Sequence, residues 1–371
     1  MQYRGTYIRV YLDAIAHNTR VLRQHIAPAR HMMAVVKANG YGHGLCQVAK
    51  TALENGADYV GVAIPEEGET LRRNGVTAPI LVLGPVNARG AEASVAFDLI
   101  QTVFDQARVR WLEEAAARLG KIARVHIKID SGMGRIGVRD EAELRAVMEA
   151  IGACPHVQLT GAFTHFADAD GDDPAYTLHQ IAAFEKLRAL LPPDLLIHAA
   201  ASAAGEGYPA ARYGMVREGI ALYGCLEGSG LPLLPALSWH TEIMYVKTVP
   251  AGACVSYGCT FRAERETRVA TLPIGYGDGY HRALSGKAQV LIGGRRCPVI
   301  GRVCMDQIMA DVTDLPEEQA ALGREVVLLG RQGDEEITAG EMAAWAGTIS
   351  YEMLLAATAR VPILYGASSD A

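Results

Sequence analysis

Between residues 30 and 220 the chain alternates short β-rich runs with longer amphipathic runs, and that rhythm constrains its fold more than any other feature. Apolar, β-branched runs fall at 33–36, 59–63, 80–83, 99–103, 124–129, 158–164, 195–198 and 213–217. Helical patterns at 106–119, 141–151 and 176–191 lie between them. Strands separated by helices run parallel, with each helix as a crossover. Eight such units predict an α/β (β/α)8 TIM barrel. An open doubly wound sheet produces the same alternation.

The rhythm changes after residue 230, where Gly228-Ser229-Gly230, Pro232 and Pro235 interrupt it. Short strand patterns with Gly, Pro and Asp turns follow at 239–248, 267–273, 289–292, 296–303, 306–312 and 325–329, with one late helix near 339–346. The length of 371 residues favours two domains. We therefore expect a barrel over 10–230 and a β-rich domain over 231–371. Residues 1–9 are free to add a strand to the second domain, and the strand pattern at 7–12 suits either one.

Charge and cysteine usage exclude several classes. The net charge of −6 is mild, and no Lys/Arg run is interleaved with aromatics, so no nucleic-acid partner is expected. No apolar stretch has membrane-spanning length, so no membrane partner is expected either. The segment Met1-Gln2-Tyr3-Arg4-Gly5 lacks a signal-peptide core, which predicts a cytoplasmic chain. The seven cysteines have neither CxxC nor Cys/His ligand spacing; they read as reduced thiols, most of them core residues, with no metal site.

The chemistry is placed by the barrel rule, under which reactive groups sit at strand C-termini. The run Met33-Ala34-Val35-Val36 leads straight into Lys37. A lysine ending a buried strand is costly unless used, and burial lowers its pKa, as a Schiff-base amine requires. Arg135 lies in the glycine-rich loop after the fifth strand, His165 ends the sixth, His198 the seventh and Arg217 the eighth. Each alone can be an ordinary loop residue; together they converge on one mouth. After strands seven and eight come Ser202, in Ala201-Ser202-Ala203-Ala204, and Gly219, in Glu218-Gly219-Ile220-Ala221. Ser202 offers a hydroxyl and can cap a helix, and Gly219 lets backbone N–H groups approach an anion. With Lys37 they suggest a cofactor carrying both an aldehyde and a phosphate, namely pyridoxal phosphate.

These residues sit in long motifs: VVKANGYGHG at 35–44, KIDSGMGRIG at 128–137, THF at 164–166, VREGIALYG at 216–224, VSYG at 255–258, PIGYGDGY at 273–280, GRVCMD at 301–306 and SYE at 350–352. In that order they resemble the alanine racemase family of pyridoxal 5'-phosphate enzymes, over nearly the whole chain. The resemblance implies an N-terminal barrel, a C-terminal β-strand-rich domain and a homodimer with shared active sites. It implies racemisation of L-alanine to D-alanine, a peptidoglycan precursor, by two bases: Lys37, which also holds the cofactor, and Tyr257 from the partner subunit. Tyr41, Ser202, Gly219, Ile220 and Tyr351 would hold the phosphate. Arg217, supported by His198, would contact the ring nitrogen, and His165 would lie beside the ring. Arg135 and the backbone of Met305 would receive the carboxylate of the small amino-acid substrate. Lys128 matches a lysine that is often carbamylated.

Three departures from the family pattern bear on substrate choice. Ala201 replaces an asparagine, Glu218 replaces a proline after the arginine, and Ile363 replaces an arginine. They leave room for a serine or broad-specificity racemase. A decarboxylase on this fold would carry a Gly-Gly-Gly phosphate loop and an acidic partner for the ring nitrogen, and a pyridoxal-phosphate carrier would resemble the barrel alone.

Overall fold

The computed structural model describes residues 4–27 and 29–367. After β1 (Tyr7–Tyr11), eight parallel strands follow in chain order: β2 (His31–Val35), β3 (Tyr59–Val62), β4 (Ile80–Val82), β5 (Ile100–Val103), β6 (Ala123–Lys128), β7 (Val157–Phe163), β8 (Leu196–His198) and β9 (Met215–Glu218). Each pairs with the next from β2 to β8, and β2 also pairs with β9. Between β8 and β9 a bridge at Ala201 and Arg217 brings the ring together, with N–H bonds from Gly214 to the Ile197 carbonyl (3.0 Å) and from Arg217 to the Ala200 carbonyl (3.1 Å). The sheet is a nearly closed barrel rather than an open doubly wound one. All eight strands read from the sequence are present, with ends shifted by one or two residues.

Helix Gln106–Leu119 shows why the crossovers form where they do. Asp105 caps it, accepting the Arg108 N–H at 2.9 Å, and Gly120 ends it in the left-handed region at φ 63°. A cap of this kind contributes about 1 kcal/mol. Val109, Leu112, Ala115 and Ala116 recur at helical spacing and are buried. Burying a side chain such as Leu112 contributes about 1.5–3 kcal/mol.

The second domain is strand-rich, with a large sheet and, apart from it, one two-stranded pair. Its strands are β10 (Leu237–Glu242), β11 (Tyr245–Val249), β12 (Cys254–Val255), β13 (Phe261–Arg262), β14 (Thr267–Leu272), β15 (Gln289–Ile292), β16 (Arg295–Ile300), β17 (Ile308–Asp311), β18 (Glu325–Gln332), β19 (Glu335–Ile337) and β20 (Ile363–Gly366). β1 lies in the large sheet, antiparallel to β10 and parallel to β20, so the first and last strands of the chain are neighbours. Residues 1–3 of the segment considered for an added strand lie outside the described residues.

Several sequence expectations change here. The single run at 239–248 is two strands, β10 and β11, divided at Ile243-Met244. The isolated β12–β13 hairpin was not legible, because a two-residue strand has no periodicity to read. A second late helix, Ser350–Leu355, follows Ala339–Ala346 and carries Tyr351. Of the seven cysteines only Cys297 is buried, and Cys254 and Cys259 are exposed on either side of Tyr257. Among the described residues no helix is long and apolar enough to cross a membrane, and no cluster of metal-ligating side chains occurs.

Candidate active site

Lys37 directly follows β2, and the chain after it turns the wrong way. Ala38, Asn39, Gly40 and Tyr41 all have φ between 51° and 61°, a left-handed turn in which three of four residues are not glycine. Non-glycine residues in this region cost of order 1–3 kcal/mol each unless the surroundings hold them. Here they are held. The Gly40 N–H reaches the Val36 carbonyl at 2.7 Å, and the Gly44 N–H reaches Asn39 at 2.8 Å. The Asn39 side chain accepts the Leu45 N–H at 3.0 Å. Glu67, at the start of the next crossover helix, accepts the Ala38 N–H at 2.6 Å and the Ala63 N–H at 2.8 Å. Gly40 is only one of the four turn residues. Gly42, just after the turn, is needed for packing: at φ 83°, a Cβ there would come within 2.3 Å of the Leu354 carbonyl oxygen. The turn therefore docks against the helix that carries Tyr351, and the rings of Tyr41 and Tyr351 lie 5.9 Å apart.

The barrel mouth opens into a cavity of about 290 Å3. Lys37, Tyr41, Lys128, Arg135, His165, Ser202, Arg217, Gly219, Ile220 and Tyr351 all line it. The four cations, Lys37, Lys128, Arg135 and Arg217, take part in none of the ion pairs among the described residues. Burial, with Arg135 and Arg217 nearby, lowers the Lys37 amine, and Glu67 partly offsets this. Lys128 is buried, donates to the Ile129 carbonyl at 2.8 Å, and is pulled down to about 7 by burial and Arg217.

Arg217 organises the floor. Nη2 serves three acceptors with two protons, one of them shared: the Ala199 carbonyl (2.8 Å), the Thr164 carbonyl (3.0 Å) and His165 Nδ1 (3.2 Å); Nη1 donates to His198 Nδ1 (3.1 Å). Burial and Arg135 lower its guanidinium to about 9, so it stays protonated at neutral pH. The Phe163 ring takes both cations on its π system, at 5.5 Å from Arg217 and 5.3 Å from Lys128, and stacks on His198 at 4.7 Å. His198 itself is fully buried beneath the cavity wall, within reach of His126 at 3.0 Å. Burial and the surrounding cations hold His165 down at about 3.

Ser202 does not cap its helix as the sequence suggests. It is the first residue of helix Ser202–Gly207, and Ala201 before it has no side-chain acceptor. Its Oγ instead accepts the Gly219 N–H at 3.0 Å and the Ala221 N–H at 3.3 Å, tying together the loops after β8 and β9. A Cβ on Gly219 would meet the Tyr41 hydroxyl at 2.9 Å, so only glycine leaves that hydroxyl room. The Tyr41, Ser202 and Tyr351 hydroxyls beside these cations fit a phosphate, and the Lys37 amine in the same cavity fits an aldehyde.

Tyr257 and Met305 do not line this cavity. Both lie on the β-rich domain and are exposed, Tyr257 at 71% and Met305 at 53%. Tyr257 opens a short 3-10 turn between β12 and β13, flanked by Ser256, Gly258 and Cys259, all at positive φ. Ser256 Oγ donates to the Arg302 carbonyl at 2.7 Å, which fastens the Tyr257 turn to the segment that carries Met305. Sequence reading missed Glu67 and Phe163. Glu67 follows Pro65 just past a strand end, a helix start where an acidic side chain finds free N–H groups, which was the available signal.

The fold and the site define a two-domain barrel enzyme with a cationic mouth and a lowered-pKa lysine at its first barrel strand end. The chain belongs to the alanine racemase family. The family's N-terminal domain matches residues 10–227 and its C-terminal domain residues 236–365. The chain is 48% identical to the alanine racemase of Symbiobacterium thermophilum, over 98% of this chain and 97% of that protein. A crystal structure of alanine racemase from Bacillus anthracis with bound L-Ala-P superposes with a TM-score of 0.92 at 39% identity, covering 99% of this chain and 96% of that one. A histidine racemase from Leuconostoc mesenteroides superposes at 0.89 with 30% identity, covering 99% of each.

Proposed function

We propose that this protein racemises alanine with pyridoxal 5'-phosphate, in a homodimer whose subunits complete each other's sites. The carrying observation is the convergence on one cavity of Lys37, four unpaired cations in all and the Ser202–Gly219 cradle. The alanine racemases to which the chain is similar support alanine as the substrate.

When bound, pyridoxal phosphate supplies an aldehyde for the lysine and an electron sink that acidifies the substrate α-carbon. Tyr41, Ser202, Tyr351 and the backbone of Gly219 and Ile220 hold the phosphate. Lys37 Nζ would hold the aldehyde of the cofactor, and as a free amine it would take or return the substrate α-proton on one face. Its lowered pKa suits an amine that must act as a base near neutrality. Tyr257 of the partner subunit works on the opposite face, which explains a tyrosine held outward on a strained turn, away from its own chain's cavity. Two bases on opposite faces invert the centre without turning the substrate. Arg217 keeps an N–H beyond its protein bonds and would offer it to the ring nitrogen. An arginine that stays protonated at neutral pH would give that nitrogen no proton, so the sink would be a weak one, which limits side reactions. Neutral His165 accepts at Nδ1 from Arg217 and so carries its proton on Nε2, a donor for the Tyr257 oxygen. Arg135 and the Met305 backbone receive the substrate carboxylate. The half-neutral Lys128 amine is the form that adds carbon dioxide; the carbamate gives up a proton and becomes an anion able to pair with Arg135.

The test is a chiral racemisation assay on alanine, serine and histidine with the purified yellow protein. Alanine should turn over fastest. Faster turnover of serine or histidine would replace alanine as the substrate, as the histidine racemase on this scaffold would favour. Lys37→Ala and Tyr257→Ala proteins should each be inactive, and mixing them should restore activity. Heterodimers that stay inactive would end the shared-site reading.

A further inference from the structure

One titratable side chain beside Lys37 has no part in the proposed chemistry. His43 follows the left-handed turn, is fully buried and does not line the cavity. Its Nδ1 lies 2.8 Å from the Tyr41 carbonyl oxygen, and its own N–H reaches the Gly40 carbonyl at 2.9 Å. A carbonyl only accepts, so Nδ1 carries the proton and Nε2 keeps a bare lone pair. That nitrogen meets no hydrogen-bond partner among the described residues. Burial holds the imidazole down at about 4, so the ring stays neutral and donates from one nitrogen only.

The residue that receives this bond is a strained one. Tyr41 sits in the left-handed region at φ 51°, which an aromatic residue adopts only where its surroundings impose it. Its carbonyl turns with the torsion that follows its Cα, so a hydrogen bond to that carbonyl locks the torsion. The ring is fixed as well. Tyr41 stacks on Tyr223 at 4.7 Å, and His43 packs on the same Tyr223 ring at 4.6 Å. Tyr223 is fully buried, and its hydroxyl donates at 3.0 Å to the carbonyl of Val35, at the end of the strand that leads into Lys37. The Tyr41 hydroxyl then rests beside Gly219, where an added Cβ would lie 2.9 Å from it. Relaxation of Tyr41 to the right-handed region would swing its ring off Tyr223 and withdraw the hydroxyl from the cavity wall.

We propose that His43 is a positioning residue that aims the Tyr41 hydroxyl at a phosphate group in the cavity. This rests on reading Tyr41 and Ser202 as holders of the cofactor phosphate. His43 lies behind the cavity wall and acts through the Tyr41 peptide. Its orphaned Nε2 shows which part of the ring is used. An apolar ring would fill the same space without burying an unpaired acceptor, so the Nδ1 proton is what the position requires.

The full chain, freed of cofactor with hydroxylamine, is titrated with pyridoxal phosphate and with phosphate-free pyridoxal, read by quenching of tryptophan fluorescence. The ratio of the two affinities isolates the phosphate. His43→Phe keeps a ring but loses the donor, and should lower that ratio by about tenfold. His43→Asn places an amide N–H where Nδ1 stands, and should keep the ratio close to that of the wild type. Tyr41→Phe should lower the ratio too, and adding His43→Phe to it should lower it no further. A wild-type ratio in His43→Phe, while Tyr41→Phe lowers it, overturns the role of His43 and leaves the phosphate site standing. An Asn variant as poor as the Phe variant does the same. If Tyr41→Phe and Ser202→Ala both leave the ratio unchanged, the phosphate reading fails and the proposal with it. Should His43→Phe not fold, His43→Gln takes its place, since its amide lies one carbon further out and misses the Tyr41 carbonyl. Equal ratios in the Gln and Asn variants would then refute the proposal.

Discussion

The guanidinium of Arg217 stands 3.1 Å from Nδ1 of His198. Arginine only donates, so this nitrogen accepts, and the proton of neutral His198 sits on Nε2, facing His126 Nδ1 at 3.0 Å. The same donor fixes His165 through its Nδ1 at 3.2 Å. One buried cation thus sets two tautomers, one beneath the cavity and one inside it.

Acid should unfold the protein through its histidines. His43, His126 and His165 are lowered to about 4, 3 and 3, and His198 lies well below its ordinary value, in each case chiefly by burial. The unfolded chain takes up protons on them below about pH 6.5, where the native chain does not. Stability is therefore unaffected above that pH and falls steadily as pH drops from about 6.5 towards the native values. Each costs about 1.4 kcal/mol per pH unit in that window. Urea denaturation at pH 7.5, 6 and 5 should give falling midpoints; equal midpoints would refute the assignment.

Gly219→Ala should weaken cofactor binding and lower stability together. The new Cβ would lie 2.9 Å from the Tyr41 hydroxyl, and φ −104° with ψ −103° lies outside the helical and extended regions that alanine adopts. The clash costs about 1–3 kcal/mol and falls on the phosphate cradle. Pyridoxal-phosphate affinity should drop roughly tenfold or more, and the melting temperature of the cofactor-free chain should fall. Intact affinity would contradict this.

Glu67→Gln should loosen the turn after Lys37. The carboxylate accepts two N–H groups, from Ala38 and Ala63, and an amide keeps only one acceptor oxygen. The orphaned N–H costs about 1–3 kcal/mol. Glu67 also raises the Lys37 pKa, so its neutralisation should move that amine further down. The pH dependence of borohydride trapping of pyridoxal phosphate on Lys37 reads the shift; movement upward would show that Glu67 does not act on the amine.

Lys128 should make activity depend on carbon dioxide. Its amine, at about 7, is substantially neutral at neutral pH. Depleting bicarbonate should lower wild-type turnover on the order of tenfold, as Arg135 loses one charge-assisted bond. Lys128→Met should already be slow and indifferent to bicarbonate. Wild-type turnover unaffected by depletion would remove the carbamate from the site.

The periodic features were readable. The eight strand runs of the barrel, the helix at 106–119 and the change of rhythm after residue 230 all follow from side-chain alternation and turn residues, which are local properties. Features without a period were not. β12 and β13 are two residues each, and helix Ser350–Leu355 is a turn and a half, too short for any face to repeat. The cavity-lining residues Lys37, Arg135, His165, Ser202, Arg217 and Gly219 were legible because a barrel sends every strand end to the same mouth.

By itself, then, the sequence determined the order of strands and helices and which polar groups end the strands, because burial periodicity and turn chemistry act over a few residues. Tertiary structure alone decided the rest. It turned Ser202 from a helix cap into the acceptor of two N–H groups from a loop 17 and 19 residues away. It held Ala38, Asn39 and Tyr41 left-handed through Glu67, and left Tyr257 facing outward. It also moved the lysine that ends β2 from an ordinary cation to a depressed amine, since desolvation and the nearness of Arg135 and Arg217 depend on which distant segments the fold brings together.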